Sequence, residues 1–178
     1  MIADANVLID YLEGSPEILA LVARHLGPVY VAQPVLDNVK QLTIERSEQL
    51  GLIIAEPTTG QLVEVGRGVP GLAFDDVVCL VMARDHRWCC VTNDKALRKA
   101  CSRADVHVSW GLQVMLGLID RAVVSAEKAC ETARSIRKSN PHFITEAVVD
   151  GFVEQARAAE TRALSRKGAS DGQEPPHG

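Results

Sequence analysis

The sequence predicts a three-layer α/β/α fold with a mostly parallel central sheet and a helical C-terminal extension. Three observations carry that prediction. Up to Trp110, short β-rich runs alternate with stretches whose apolar residues recur at helical spacing, the pattern of parallel strands joined by helices. Beyond Trp110 the pattern is helical only. Aspartates also stand where strands end, and in an open parallel sheet ligands bind beyond the carboxyl ends of the strands.

Taken in order, "MIA" is a brief strand that stops on Asp4, and "ANVLIDYL" starts a helix at once. "PEILALVARHL" sets Ile18, Leu21, Val22 and Leu26 on one face of an amphipathic helix. "PVYVA" (28–32) is β-rich, and Pro34 then opens a helix, "VLDNVKQLTIERSEQL", at a position where proline is tolerated. "GLIIAEP" is a strand ended by Pro57. "DDVVCLVMARDH" is helical, "WCCVT" a buried strand, "DKALRKACSRA" a helix and "VHVSW" a last short strand. In the extension, "SAEKACETARSIRKS" stripes Ala126, Ala129, Cys130, Ala133 and Ile136 along one face, and Asn140-Pro141 breaks it. "ITEAVVDGFVEQA" repeats the pattern with Ile144, Val148, Phe152 and Ala156. These elements divide the chain into an α/β domain (1–122), a helical extension packed on it (123–163) and a small, polar, Pro/Gly-rich tail expected to be disordered (164–178).

Composition narrows the function classes. The chain has 178 residues, 47% hydrophobic and 24% charged, enough for one domain with a sizeable core. No apolar run approaches the roughly 18 residues of a membrane span, and no basic region leads into a long apolar stretch, so neither a membrane anchor nor a signal peptide is expected. Cys79, Cys89, Cys90, Cys101 and Cys130 are odd in number and lack CxxC spacing, which indicates neither a disulfide framework nor a zinc site. A reducing, cytoplasmic setting fits them best. The net charge of -4 argues against a protein that coats nucleic acid by bulk charge but allows local basic patches.

The candidate chemistry lies in the aspartates. Asp4 ends the first strand, Asp94 follows "WCCVTN", and Asp75-Asp76 opens a long apolar helix. Each alone reads as a helix cap, since aspartate is among the best N-cap residues. Together at one end of one sheet they read differently. Converging carboxylates repel unless a cation neutralises them. Hard cations such as Mg²⁺ or Mn²⁺ take oxygen ligands, and one or two such ions can act on a phosphodiester.

Four motifs in this order, "DANVLIDYL", "QPVLDNVKQL", "LAFDDVVCLVMA" and "CCVTNDKALRKAC", resemble those of PIN-domain nucleases, over most of residues 1–120. The helical region to about residue 160 also resembles an appendage of some members. The resemblance implies a PIN-like fold, a Mg²⁺- or Mn²⁺-dependent endoribonuclease activity, and Asp4, Asp76 and Asp94 as metal-binding catalytic residues. Asn6 and Thr92 fall where the family uses polar side chains to steady those ligands. Small members of the family serve as the toxin of a toxin–antitoxin pair. RNA would then be the substrate and an antitoxin protein a partner, with the chain forming a homo-oligomer.

The second motif departs from the family, which places an acidic residue, usually Glu, where this chain has Asn38, with Asp37 beside it. Asparagine offers a carbonyl oxygen but no negative charge. Asp37 lies about 100° round a helix axis from Asn38. Three readings follow: a site that binds its metal weakly yet works, a site into which Asp37 reaches, and a catalytically impaired module that binds protein or nucleic acid without cleavage. "DANVL" also resembles the DxDx[TV] start of haloacid-dehalogenase-type phosphotransferases. The general-acid aspartate of that motif is Asn6 here, and no suitable lysine-bearing strand end is evident, so this is the weaker alternative.

Beside the acidic residues, the helix after Asp94 carries Lys95, Arg98, Lys99 and Arg103. They form either a solvated face or, for Lys95, Arg98 and Lys99 above all, contacts to substrate phosphate; Lys40, Arg46 and Arg67 could extend that surface. "GRGVPG" (66–71) matches G-x-G-x-x-G by spacing only. Pro70 lacks an amide donor and the stretch is not on the first βα turn, so it reads as a mobile loop before Asp76.

Overall fold

The computed structural model describes residues 1–171. Five parallel strands form one sheet: β1 (Ile2–Ala3), β2 (Val29–Ala32), β3 (Leu52–Ala55), β4 (Cys90–Val91) and β5 (Val108–Ser109), in the order β3-β2-β1-β4-β5. Ile2 is in register with both Tyr30 of β2 and Cys90 of β4. The order runs outward from β1 to β3, then returns to place β4 on the other side of β1. The switch point of the sheet therefore lies between β1 and β4, where open parallel sheets generally bind ligands beyond the carboxyl ends of the strands. Asp4 follows the first of these strands and Thr92, Asn93 and Asp94 the second.

Helices α1 (Ala5–Gly14) and α2 (Pro16–His25) connect β1 to β2, and α3 (Gln33–Asn38) and α4 (Ile44–Gln49) connect β2 to β3. The return crossover holds α5 (Thr59–Gly66) and α6 (Phe74–His86), and α7 (Lys95–Arg103) joins β4 to β5. Helix α6 packs on β1 and β4 with α7 beside it, and its run Val77–Ala83 is buried throughout. Then come α8 (Gln113–Asp120), α9 (Ala126–Ser139) and α10 (Glu146–Asp171). Helix α9 lies on α1, and α10 lies on α8 and α9. The stripe Ala126, Ala129, Cys130, Ala133 and Ile136 is buried as its spacing predicts, and α9 ends at Ser139 with Asn140 as its cap. Gly14 has no room for a side chain where α9 crosses α1, because a Cβ there would stand 2.9 Å from Ile136 Cγ1.

Three features differ from the expectations. The helix expected over 35–50 is two short helices. Val39 turns extended (φ -93°, ψ 90°), and Thr43 caps α4 by accepting from the Arg46 N–H at 3.2 Å. The break buries Val39 and Leu42 and makes Asn38 the last residue of α3. Second, α5 lies in the segment before "GRGVPG"; Thr58 and Gln61 close a capping box at its start, and Arg84 of α6 clamps its Glu64 through two bonds of 2.6 and 2.8 Å. Third, α10 is helical to Asp171, past the expected start of the tail; the rest of that tail, residues 172–178, lies outside the described residues.

Candidate functional site

Asp4 is a helix cap that also links two strand ends. As N-cap of α1 its Oδ1 accepts from the Val7 N–H at 2.7 Å. Its Oδ2 accepts from the Thr92 hydroxyl, and the Thr92 oxygen in turn accepts from the Asp94 N–H at 3.0 Å. A relay of backbone amide, hydroxyl and carboxylate thus ties the ends of β4 and β1 together. The Thr92 hydroxyl holds one oxygen of Asp4 in place. The Asn6 side chain makes no hydrogen bond with Asp4, whose two oxygens are taken by Val7 and Thr92.

The other two aspartates repeat the arrangement. Asp94 caps α7 by accepting from the Leu97 N–H at 2.7 Å, and Asp76 accepts from the Ala73 N–H at 3.1 Å at the start of α6. Asp4 and Asp94 are N-caps, as the plain reading has them, while Asp76 is the third residue of α6 and reaches back to the amide of its N-cap, Ala73. All three are also electrically coupled. Burial pushes the Asp4 carboxyl up to about 6 against its two hydrogen bonds, and the charges of Asp76 and Asp10 push further in the same direction. Burial raises Asp76 as well, against its bond from Ala73, and the nearby charges of Asp94 and Asp75 add to it. Asp4 is only 2% exposed. Asp76 thus stands within electrostatic reach of Asp4 and of Asp94, and Arg98 within reach of Asp4 and Asp94.

At the end of α3 the Asn38 amide donates to both oxygens of Asp75, at 3.1 and 2.9 Å, and to the Pro34 carbonyl. Asn38 thus faces the acidic edge, with a donor where an acid would bring another charge. Asp37 does not reach in. It is exposed and accepts from Gln33 Nε2 one turn back, at 2.8 Å.

On α7, Lys95 and Lys99 are exposed. Arg98 is more fixed than the sequence suggests. Its guanidinium lies 3.8 Å above the Trp110 ring and donates to the Asn93 carbonyl.

Sequence reasoning missed a second buried carboxylate. Asp10, on α1, is 3% exposed. Its oxygens accept from Asn93 Nδ2 at 3.1 Å and from Asn140 Nδ2 at 2.8 Å. Asn93 Oδ1 accepts from the Gly111 N–H at 3.0 Å, and Tyr11 Oη donates to the Gly111 carbonyl at 2.7 Å. A Cβ on Gly111 would approach Asn93 Nδ2 to 2.9 Å, so only glycine fits. This network locks the residue before Asp94 to α1 and to the cap of α9. Its signal in the sequence was an acid one turn after Val7, within an otherwise apolar helix face.

The donor set of Asp4, Asp76 and Asp94 is all oxygen and suits a hard cation. The second oxygens of Asp76 and Asp94 remain beyond their capping bonds. Among the described residues no group of three His, Cys, Asp or Glu side chains is close enough to hold an ion, so the carboxylates converge without forming a ready cage. Also among the described residues, no helix is long and apolar enough to cross a membrane. Compared with known proteins, the chain matches no family model, no curated protein and no solved structure at a significant level.

Proposed function

We propose that the chain is a PIN-type, metal-dependent endoribonuclease, cutting RNA at the edge formed by Asp4, Asp76 and Asp94. One observation carries the reading. A fully buried carboxylate, Asp4, is held toward like charges at the switch point of a parallel sheet, an arrangement that a fold tolerates where a cation completes it. Asp4, Asp76 and Asp94 would hold Mg²⁺ or Mn²⁺. When bound, such an ion orients a phosphodiester, activates water and offsets charge on the leaving oxygen.

The chain's own residues set the geometry. The Val7 N–H and the Thr92 hydroxyl fix both Asp4 oxygens, and the Asp94 N–H fixes Thr92. The Ala73 and Leu97 amides anchor one oxygen each of Asp76 and Asp94 and leave the other to act. The same reading makes RNA the substrate, an antitoxin protein the restraining partner and a second copy of the chain its neighbour.

A second reading, an impaired module that binds without cutting, is favoured by Asn38, whose amide quiets Asp75 in place of an added acid. The phosphotransferase alternative has less support, because the position of its general-acid aspartate is Asn6 here. Cleavage of a mixed RNA substrate with Mn²⁺, with Mg²⁺ and with EDTA separates these readings. Metal-dependent cutting that Asp4→Asn abolishes supports the nuclease. Cutting by Asn38→Glu alone supports the impaired module. A small phosphate ester hydrolysed while RNA stays intact supports the phosphotransferase.

A further inference from the structure

Trp110 follows β5 as Asp94 follows β4 and Asp4 follows β1, on adjacent strands of one sheet. With strands about 4.8 Å apart, the indole stands one strand away from Asn93 and Asp94. A groove of about 390 Å³ opens there, between the loops after β4 and β5 and the first turns of α10. Ile144, Phe152 and Leu112, all buried, line it, and Trp110, Gln113 and Gln155 stand at its more exposed side.

Several details fit this groove to a flat, partly polar ring. Trp110 also lines the neighbouring groove, which holds Arg98. The Arg98 guanidinium lies over one face of the indole, and Trp110 lines both grooves. Arg98 makes no salt bridge among the described residues, so a cation stands at the junction of groove and acidic edge. Gln113 Oε1 accepts from the Trp110 N–H at 3.1 Å, which directs its remaining capacity to donation from Nε2. Finally, Gly151 lines the groove from inside α10, where glycine weakens a helix relative to alanine. Gly14 and Gly111 are required by close neighbours, yet a Cβ on Gly151 would meet nothing within 4 Å. The packing gives no reason for glycine there; its effect is to keep the groove open.

We propose that this groove takes an unpaired nucleobase, packed against Trp110, with a phosphate of the same strand on Arg98 beside the acidic edge. This inference rests on the nuclease reading and deepens it, because a base must be out of a duplex to enter. Substrates would then be single-stranded or looped RNA. Stacking on an aromatic face is tolerant of sequence and strong for each base.

The test is the affinity of the full chain, with EDTA present to prevent cleavage, for a short single-stranded RNA and for the same strand made of abasic nucleotides. The base-bearing strand is expected to bind about tenfold more tightly. Gly151→Leu, which fills the groove with a better helix former, should raise the Tm and erase that preference. Trp110→Leu should erase it too. Equal affinity of the wild-type chain for the two strands overturns the proposal, as does a preference that survives both substitutions. If the two strands bind equally while metal-dependent cleavage persists, only the base subsite fails. Absence of both RNA binding and cleavage removes the nuclease reading with it.

Discussion

Asp4 and Asp10 lie six positions apart at the start of the chain. Both are buried, and burial pushes both carboxyls up to about 6. Their neighbours differ. Asp10 receives amide donors from Asn93 and Asn140, which lie far along the chain, and the charge of Glu13 acts against it. Asp4 receives a backbone amide and a hydroxyl, and faces the charge of Asp76. The first is closed by side-chain amide donors, and the second faces a like charge at the sheet edge. Neither burial nor a raised carboxyl marks function here; the identity of the surrounding groups does.

The largest expected effect is at Asp4. Asparagine caps a helix as well as aspartate, so Asp4→Asn should keep α1 intact yet lower RNA cleavage by more than about a hundredfold. Normal folding by circular dichroism with cleavage lost would separate chemistry from structure. Asp10→Ala should do the opposite. It strands two amides in the interior and should cost about 3 kcal/mol. Thermal melting should show this as a Tm lower by about 6–12 °C, with Mn²⁺ still stabilising the variant. Equal loss of the metal response in both variants would break the comparison.

Acidity sharpens the contrast further. A carboxyl raised to about 6 from its unfolded value near 3.9 binds protons more readily in the folded state. Stability therefore declines as pH rises through that interval, and the metal-free protein should melt higher at pH 5.5 than at pH 7.5. Glu17, Glu64 and Asp85 are lowered by their partners. Their contributions are complete above the unfolded carboxylate values and do not vary within this window. Mn²⁺ should cancel the Asp4 part of the decline and leave the Asp10 part. The smallest effect is at Asn38. Glutamate there would face Asp75 as a like charge, costing about 1 kcal/mol without metal. Asn38→Glu should therefore lower the metal-free Tm slightly, enlarge the rise with Mn²⁺ and increase cleavage.

Much of the fold was legible because helical spacing and β-rich runs alternate cleanly through residue 110, and the sheet that results is wholly parallel with its reversal beside β1. The capping role of Asp4, Asp76 and Asp94 and their common edge could be read in the same way. Other features could not. Helix α5 had a signal, the Thr58-x-x-Gln61 capping box, overshadowed by the glycines after it. The break at Val39 depends on burying Val39 and Leu42 together, a tertiary gain with no local marker. The Asp10 joint links residues separated by 83 and 130 positions, and no local pattern encodes such a pairing. The stacking of Arg98 on Trp110 had no local marker either, because Trp110 is supplied by a different strand end.

The comparison turns on whether the Asp4 edge takes a cation that the Asp10 joint does not. The most direct measurement is the Tm of the wild-type, Asp4→Asn and Asp10→Ala chains at pH 7.5, with and without Mn²⁺. Binding to the folded state alone raises Tm with ligand concentration. A rise in the wild type and in Asp10→Ala, absent in Asp4→Asn, is the result predicted here. A wild-type Tm unmoved by Mn²⁺, or a rise that survives Asp4→Asn, would contradict it.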